Sequence, residues 1–222
     1  MPSGLKDGLR LNWSERQGPG PSVLLLHCSL ANNKAWRGVI EALGPAPHVI
    51  APDLPGHGRT EHDKARGVVE QAAAGPAVLL DGPAHVVGHS FGAVAGMYLA
   101  LHRPDLVASL TLYEPVLFGL LDDVGDPAWA REVALGERLE AAFEEGSEAA
   151  TAVFLDRWND GERYEDMPAE QQAALAGLIH MIPYSRGPLY EDAPDRIRAG
   201  DLPGITAPTT LMMGEKTAEI FS

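Results

Sequence analysis

The sequence holds one cysteine, Cys28, in 222 residues, so no intrachain disulfide can form and nothing points to an oxidising compartment. Basic residues are scarce as well: 17 Lys and Arg stand against 31 Asp and Glu, a formal charge of −14. That balance repels nucleic acid and anionic membrane surfaces, and neither is expected as a partner. Residues 1–8 lack the apolar stretch that opens a signal peptide, and no apolar run nears the length that spans a bilayer. A soluble, cytoplasmic protein is expected. There is no internal repeat and no low-complexity segment. His27, His57 and His89 share no spacing of the zinc-binding kind, so neither a metal nor a cofactor is expected.

What is present suits one α/β domain, since 45% of the residues are apolar, enough for a sizeable core. Short runs rich in Val, Leu and Ile at 23–26, 49–51, 85–87 and 107–113 read as strands buried on both faces. Helical stretches at 33–43, 66–74 and 91–102 lie between them. The alternation predicts a doubly wound, mostly parallel sheet, with residues 9–14 as an antiparallel edge strand. After Pro115 the pattern turns helical. Asp126-Pro127 and Pro168 read as helix starts with proline at N1, and Asn159-Asp160-Gly161 as a turn. Leu135, Leu139, Ala142 and Phe143 recur at helical spacing, as do Leu175, Leu178, Ile179 and Ile182. A strand pattern returns at 208–213. The expected layout is a core over 1–116, a helical lid over 117–200 inserted after the sixth strand, and the start of the returning core over 201–222. Ligands bind beyond the carboxyl ends of such strands, where this insertion would sit.

The sharpest motif is Gly88-His89-Ser90-Phe91-Gly92, which follows a strand and opens a helix carrying Ala93, Ala95, Gly96 and Ala100. This is the G-x-S-x-G nucleophile elbow in its strand–turn–helix setting. The turn exposes the Ser90 hydroxyl at the positive end of a helix dipole. The plainer alternative is a glycine-rich turn with an inert serine. Two further motifs lie upstream: Leu26-His27-Cys28-Ser29 with Trp36 nine residues after His27, and Asp53-Leu54-Pro55-Gly56-His57-Gly58-Arg59-Thr60.

In this order and spacing the three motifs resemble those of the α/β-hydrolase fold family, sharply up to about Pro115. The resemblance implies a nucleophile–acid–histidine triad on Ser90, an oxyanion hole and a helical cap. Carried over, the oxyanion hole would use the backbone N–H groups of Phe91 and Ser29. Cys28 stands where the family commonly has glycine, and a buried structural thiol is the expectation for it. His27 and His57 are expected to orient loops, Asp53 to anchor its turn, and the His89 ring to point under the strand end.

The family often places its acid after the strand that follows the lid, but the matching stretch, Gly214-Glu215-Lys216-Thr217, has threonine there. The other place is the end of the strand at 107–113, which puts Glu114 beside Ser90. Glu114 is the first candidate acid and Glu215 the second. No histidine follows His180, which falls in the lid. The base, the last strand and its helix are therefore expected to lie outside this sequence, as in a shortened hydrolase that is nearly inactive and poorly soluble. The expected function is hydrolysis of a carboxylic ester or similar small acyl substrate through an acyl-enzyme on Ser90. Alternatives are a non-catalytic small-molecule binder on the same scaffold, a C–C bond hydrolase or an acyltransferase. Trp129, Phe154, Trp158 and Tyr184 are candidates to line an apolar pocket.

Overall fold

Runs of branched apolar residues become strands here because both of their faces find partners. The computed structural model describes residues 2–6, 8–158 and 163–215. Its seven strands are β1 (Ser3–Lys6), β2 (Leu9–Arg16), β3 (Ser22–Leu26), β4 (His48–Pro52), β5 (Ala84–His89), β6 (Val107–Tyr113) and β7 (Thr209–Met212). They form one sheet in the order β1-β2-β4-β3-β5-β6-β7. β1 pairs antiparallel with β2, and β2 with β4; every other pair is parallel.

Alternate residues of β3 face opposite layers. Leu24 and Leu26 join the larger core with α2 (Val68–Ala77) and α3 (Phe91–His102). Val23 and Leu25 pack with Val49, Ala51 and Ile40 of α1 (Arg37–Ala42) on the other face. The doubly wound, mostly parallel sheet is thus as the sequence implies. One detail differs: the strand at Leu9–Arg16 is not the edge, because β1 pairs outside it. Four residues were too short a run to announce that strand. At the opposite side β7 is the outermost strand among the described residues, and Leu211 is 70% exposed.

Between β6 and β7 the described chain is helical: α4 (Gly119–Val124), α5 (Trp129–Glu145), α6 (Ser147–Asp156), α7 (Ala169–Leu178) and α8 (Ile182–Tyr190). α5 begins two residues later than Asp126-Pro127 implies, although the Asp126 carboxylate still accepts the Ala128 N–H at 2.8 Å. Pro168 is the N-cap of α7 rather than its first residue. The apolar repeat through Leu178, Ile179 and Ile182 runs across a 3-10 turn at Ile179–Met181 that separates α7 from α8. The turn expected at Asn159-Asp160-Gly161 lies outside the described residues, as does Thr217.

Candidate active site

The chain leaves β3 for β4 on one side and returns to β5 on the other, so the loops after β3 and β5 diverge from neighbouring strands. A crevice forms at such a reversal, beyond the carboxyl ends of the strands. Residues 27–32 and the turn at Ser90 are those two loops.

Ser90 has φ 55° and ψ −118°, outside the regions open to L-residues without strain. The turn holds because its backbone is bonded on both sides. The Ser90 N–H donates to the Tyr113 carbonyl at 2.9 Å, and the Ala93 N–H donates to the Ser90 carbonyl at 3.0 Å. Gly92 lets α3 approach β3, since a Cβ there would fall on the Leu26 and His27 carbonyls. Phe91 opens α3, so its N–H has no intrahelical acceptor. The Ser29 N–H likewise meets no acceptor among the described residues.

Glu114 follows β6 as Ser90 follows β5, and their predecessors Tyr113 and His89 are register partners. Its backbone is also left-handed, φ 48°. It is pinned by the strand beyond: the Glu114 N–H donates to the Met212 carbonyl and Oε1 accepts the Gly214 N–H, each at 3.0 Å. Glu215 is exposed in the turn after β7 and does not reach the cavity described below. A third residue, Leu30, has φ 58°. Leu30, Ser90 and Glu114 are the positive-φ residues other than glycine among the described residues, and all three line one cavity. Strain of roughly 1–3 kcal/mol per residue persists only where the surroundings over-determine it, and it concentrates at functional sites. Sequence reasoning missed Leu30, because leucine carries no signal for a left-handed backbone.

A buried polar frame holds the loops in place. The Asp53 carboxylate accepts from Asn12 Nδ2 at 2.7 Å, the Asn33 N–H at 2.8 Å, Asn33 Nδ2 at 2.6 Å and the Arg59 N–H at 3.1 Å. His27 Nε2 accepts the Leu54 N–H at 2.8 Å, and His57 Nε2 accepts the Leu30 N–H at 3.2 Å. Each ring therefore carries its proton on Nδ1, which faces the Cys28 carbonyl in one case and the Pro55 carbonyl in the other. The loop-orienting roles expected for these residues are the ones observed.

Burial, with each ring opposing the charging of nearby histidines, pushes His27 down to about 3; burial also depresses His57. An unfolded chain takes up these protons near pH 6.5. The stability tied to the neutral rings is thus complete above about pH 6.5 and lost as pH falls toward the folded values. The loss is about 1.4 kcal/mol per pH unit for each ring. Urea midpoints are expected to fall between pH 7.5 and 5.5, and less steeply in His27→Gln. Equal slopes in the two proteins would contradict this.

The cavity has a volume of about 660 Å³. Its floor carries Cys28, Ser29, Leu30, His89, Ser90 and Glu114, and its walls come from α5, α6 and α8. Phe154 and Trp158 line it as expected. Trp129 and Tyr184 do not: Trp129 packs toward Tyr190, and Tyr184 meets the His62 ring edge-on at 4.5 Å. Helical spacing identifies an inward face but not which neighbour it meets. Burial raises the Cys28 thiol pKa, which disfavours a thiolate. The His89 ring lies 5.0 Å from that of Tyr113 and borders the cavity, closer to the site than expected. His180 is exposed, with Nδ1 on the Gly177 carbonyl at 2.9 Å. Among the described residues no histidine nitrogen bonds the Ser90 hydroxyl, no group of three metal-ligating side chains gathers, and no helix is long and apolar enough to cross a membrane.

Three comparisons bear on this geometry. The profile of the Alpha/beta hydrolase family matches residues 23–219. Lipase LipV of Mycobacterium tuberculosis is 40% identical over 109 residues, 46% of this chain and 41% of the lipase, so the chain spans under half of that relative's length. The pimeloyl-[acyl-carrier protein] methyl ester esterase of Methylococcus capsulatus is 33% identical over 178 residues, 74% of this chain and 68% of the esterase. Among solved structures, the enol-lactonase of Burkholderia xenovorans superposes with a TM-score of 0.70 at 22% identity, covering 96% of this chain and 81% of that one, which speaks to fold alone.

Proposed function

The chain belongs to the alpha/beta hydrolase family, and from that premise we propose that it hydrolyses a carboxylic ester or similar small acyl substrate with Ser90 as nucleophile. The observation that carries the reading is the convergence of three strained residues, Leu30, Ser90 and Glu114, on one cavity. Ser90 attacks the acyl carbonyl and an acyl-enzyme forms, which water then cleaves. The Ser29 and Phe91 N–H groups receive the developing oxyanion, where one such donor is worth about 3 kcal/mol. Glu114 is the triad acid in preference to Glu215, because it borders the same cavity as Ser90. The described helices between β6 and β7, within the stretch 117–200, act as a lid that shapes the acyl site and still admits the water that cleaves the acyl-enzyme.

The base this scheme requires is an imidazole bridging the Ser90 hydroxyl and the Glu114 carboxylate. A hydroxyl without its base is almost fully protonated at neutral pH and weakly nucleophilic. Turnover of p-nitrophenyl butyrate by the 222-residue chain is therefore expected near background, and to rise when free imidazole is added. The test is labelling by a fluorophosphonate probe in the presence of imidazole, with the adduct mapped by peptide mass. An adduct on Ser90 supports the reading. Labelling elsewhere, or none, favours a ligand-binding protein on a hydrolase scaffold, a second reading favoured by the lack of a histidine on Ser90 among the described residues. Glu114→Gln is expected to lower the imidazole-supported rate at least about tenfold without changing the fold, since the acid orients the base and steadies its charge. An unchanged rate would remove Glu114 from the scheme.

A further inference from the structure

One wall of the cavity is polar in a way the ester chemistry does not use. Arg157, which follows α6, is bonded in two places to the buried Glu132 of α5, Nη1 to Oε2 at 2.7 Å and Nη2 to Oε1 at 2.9 Å. Its guanidinium lies 4.6 Å from the Phe118 ring centroid and 4.4 Å from that of Trp158. That charge is neutralised and two aromatic rings pack against it, so Arg157 is a fixed part of the wall rather than a free cation. Beside it stands Tyr190, the last residue of α8, with its ring 4.8 Å from Phe118 and 6.2 Å from Trp129. Burial pushes the phenol up to about 12, with Arg157 opposing the rise, so the hydroxyl keeps its proton.

Arg157 donates toward the hydroxyl oxygen, which leaves the phenol's own proton to the cavity that Tyr190 lines, with no acceptor for it among the described residues. A donor left open in a partly dry site gains a hydrogen bond when a ligand oxygen accepts from it. We propose that Tyr190 is a specificity-determining donor, and that the cavity takes acyl substrates carrying a second, uncharged oxygen acceptor away from the scissile carbonyl. The inference rests on the reading of Ser90 as the point of attack, which fixes where the scissile carbonyl lies. The acceptor is uncharged because Glu132 already cancels Arg157, and the charged side chains lining the cavity are three carboxylates and three guanidiniums. A keto, hydroxy or second ester oxygen fits this wall; a carboxylate gains no net attraction there.

Two ligands without a scissile bond test this on the intact chain: 2,7-octanedione, with two acceptors, and 2-octanone, with one. Calorimetric titration of Tyr190→Phe is expected to show the dione bound about tenfold more weakly than by the parent protein, with octanone changed less than twofold. A tenfold change corresponds to about 1.4 kcal/mol. The phenyl ring keeps the contacts with Phe118 and Trp129, so a merely structural role would move both ligands together. Equal weakening, no weakening, or failure of the parent to bind the dione overturns the proposal. If the variant does not fold, nuclear Overhauser contacts between the Tyr190 ring and a dione methyl in the parent decide instead, and their absence counts against it. Ser90→Ala is titrated alongside. A dione preference that survives there, while Ser90 resists the fluorophosphonate, sinks the nucleophile and leaves the Tyr190 subsite standing.

Discussion

Ser90→Ala is expected to bring imidazole-supported ester hydrolysis down to the rate of imidazole in buffer, a loss of about two orders of magnitude or more. The comparison with buffer matters, because free imidazole itself cleaves activated esters. The variant should keep its fold, since the strained turn is fixed by backbone bonds from Ser90 to Tyr113 and Ala93 that alanine also makes. Ser90→Gly separates chemistry from strain. Glycine adopts φ 55° without penalty, so this variant is expected to be equally inactive yet more stable than Ser90→Ala by about 1 kcal/mol. Catalysis that survives in Ser90→Ala would mean that the hydroxyl is a bystander on the cavity floor.

The largest expected effect on stability is at Gly92→Ala. The added methyl would meet the carbonyl oxygens of Leu26 and His27, which belong to backbone and cannot swing aside. α3 must then lift from β3, and overpacking against backbone costs about 3 kcal/mol or more. For a chain of this size that is a fall in melting temperature of about 10 °C. Gly177→Ala in α7 is the control. Nothing lies within 4 Å of its Cβ position, so it should gain about 0.5–1 kcal/mol from helix propensity. Equal melting temperatures for the two variants would show that the elbow is loosely packed.

The strands of this fold are legible in the sequence because β3 and β4 are buried on both faces and nearly all apolar. β5 and β6, expected to be buried on both faces, alternate buried residues with half-buried or exposed ones such as His85 and Ala108, yet keep a Val- and Leu-rich run. β1 is not legible, since a four-residue strand at the edge carries no such run. Ser90 and Glu114 could be located because each directly follows a recognisable strand. Leu30 could not, as its unusual backbone depends on the His57 ring that accepts its N–H from another loop. Arg157, just past α6, and Glu132 of α5 are 25 residues apart, and no local pattern pairs them. The same holds for Tyr190, whose ring packs against the core and borders the cavity as well. What sequence periodicity supplies is the inward side of a helix; which wall that side builds is a property of the assembled chain.

The four hydrogen bonds on the Asp53 carboxylate tie β2 and the segments following β3 and β4 to one atom group. Deuterium should therefore replace the amide hydrogens of Asn33 and Arg59 at opening free energies that match, since neither segment can detach without stripping the other's acceptor. The front of the molecule would breathe as one unit, and its slowest opening would set how often the floor beneath Ser29 comes apart.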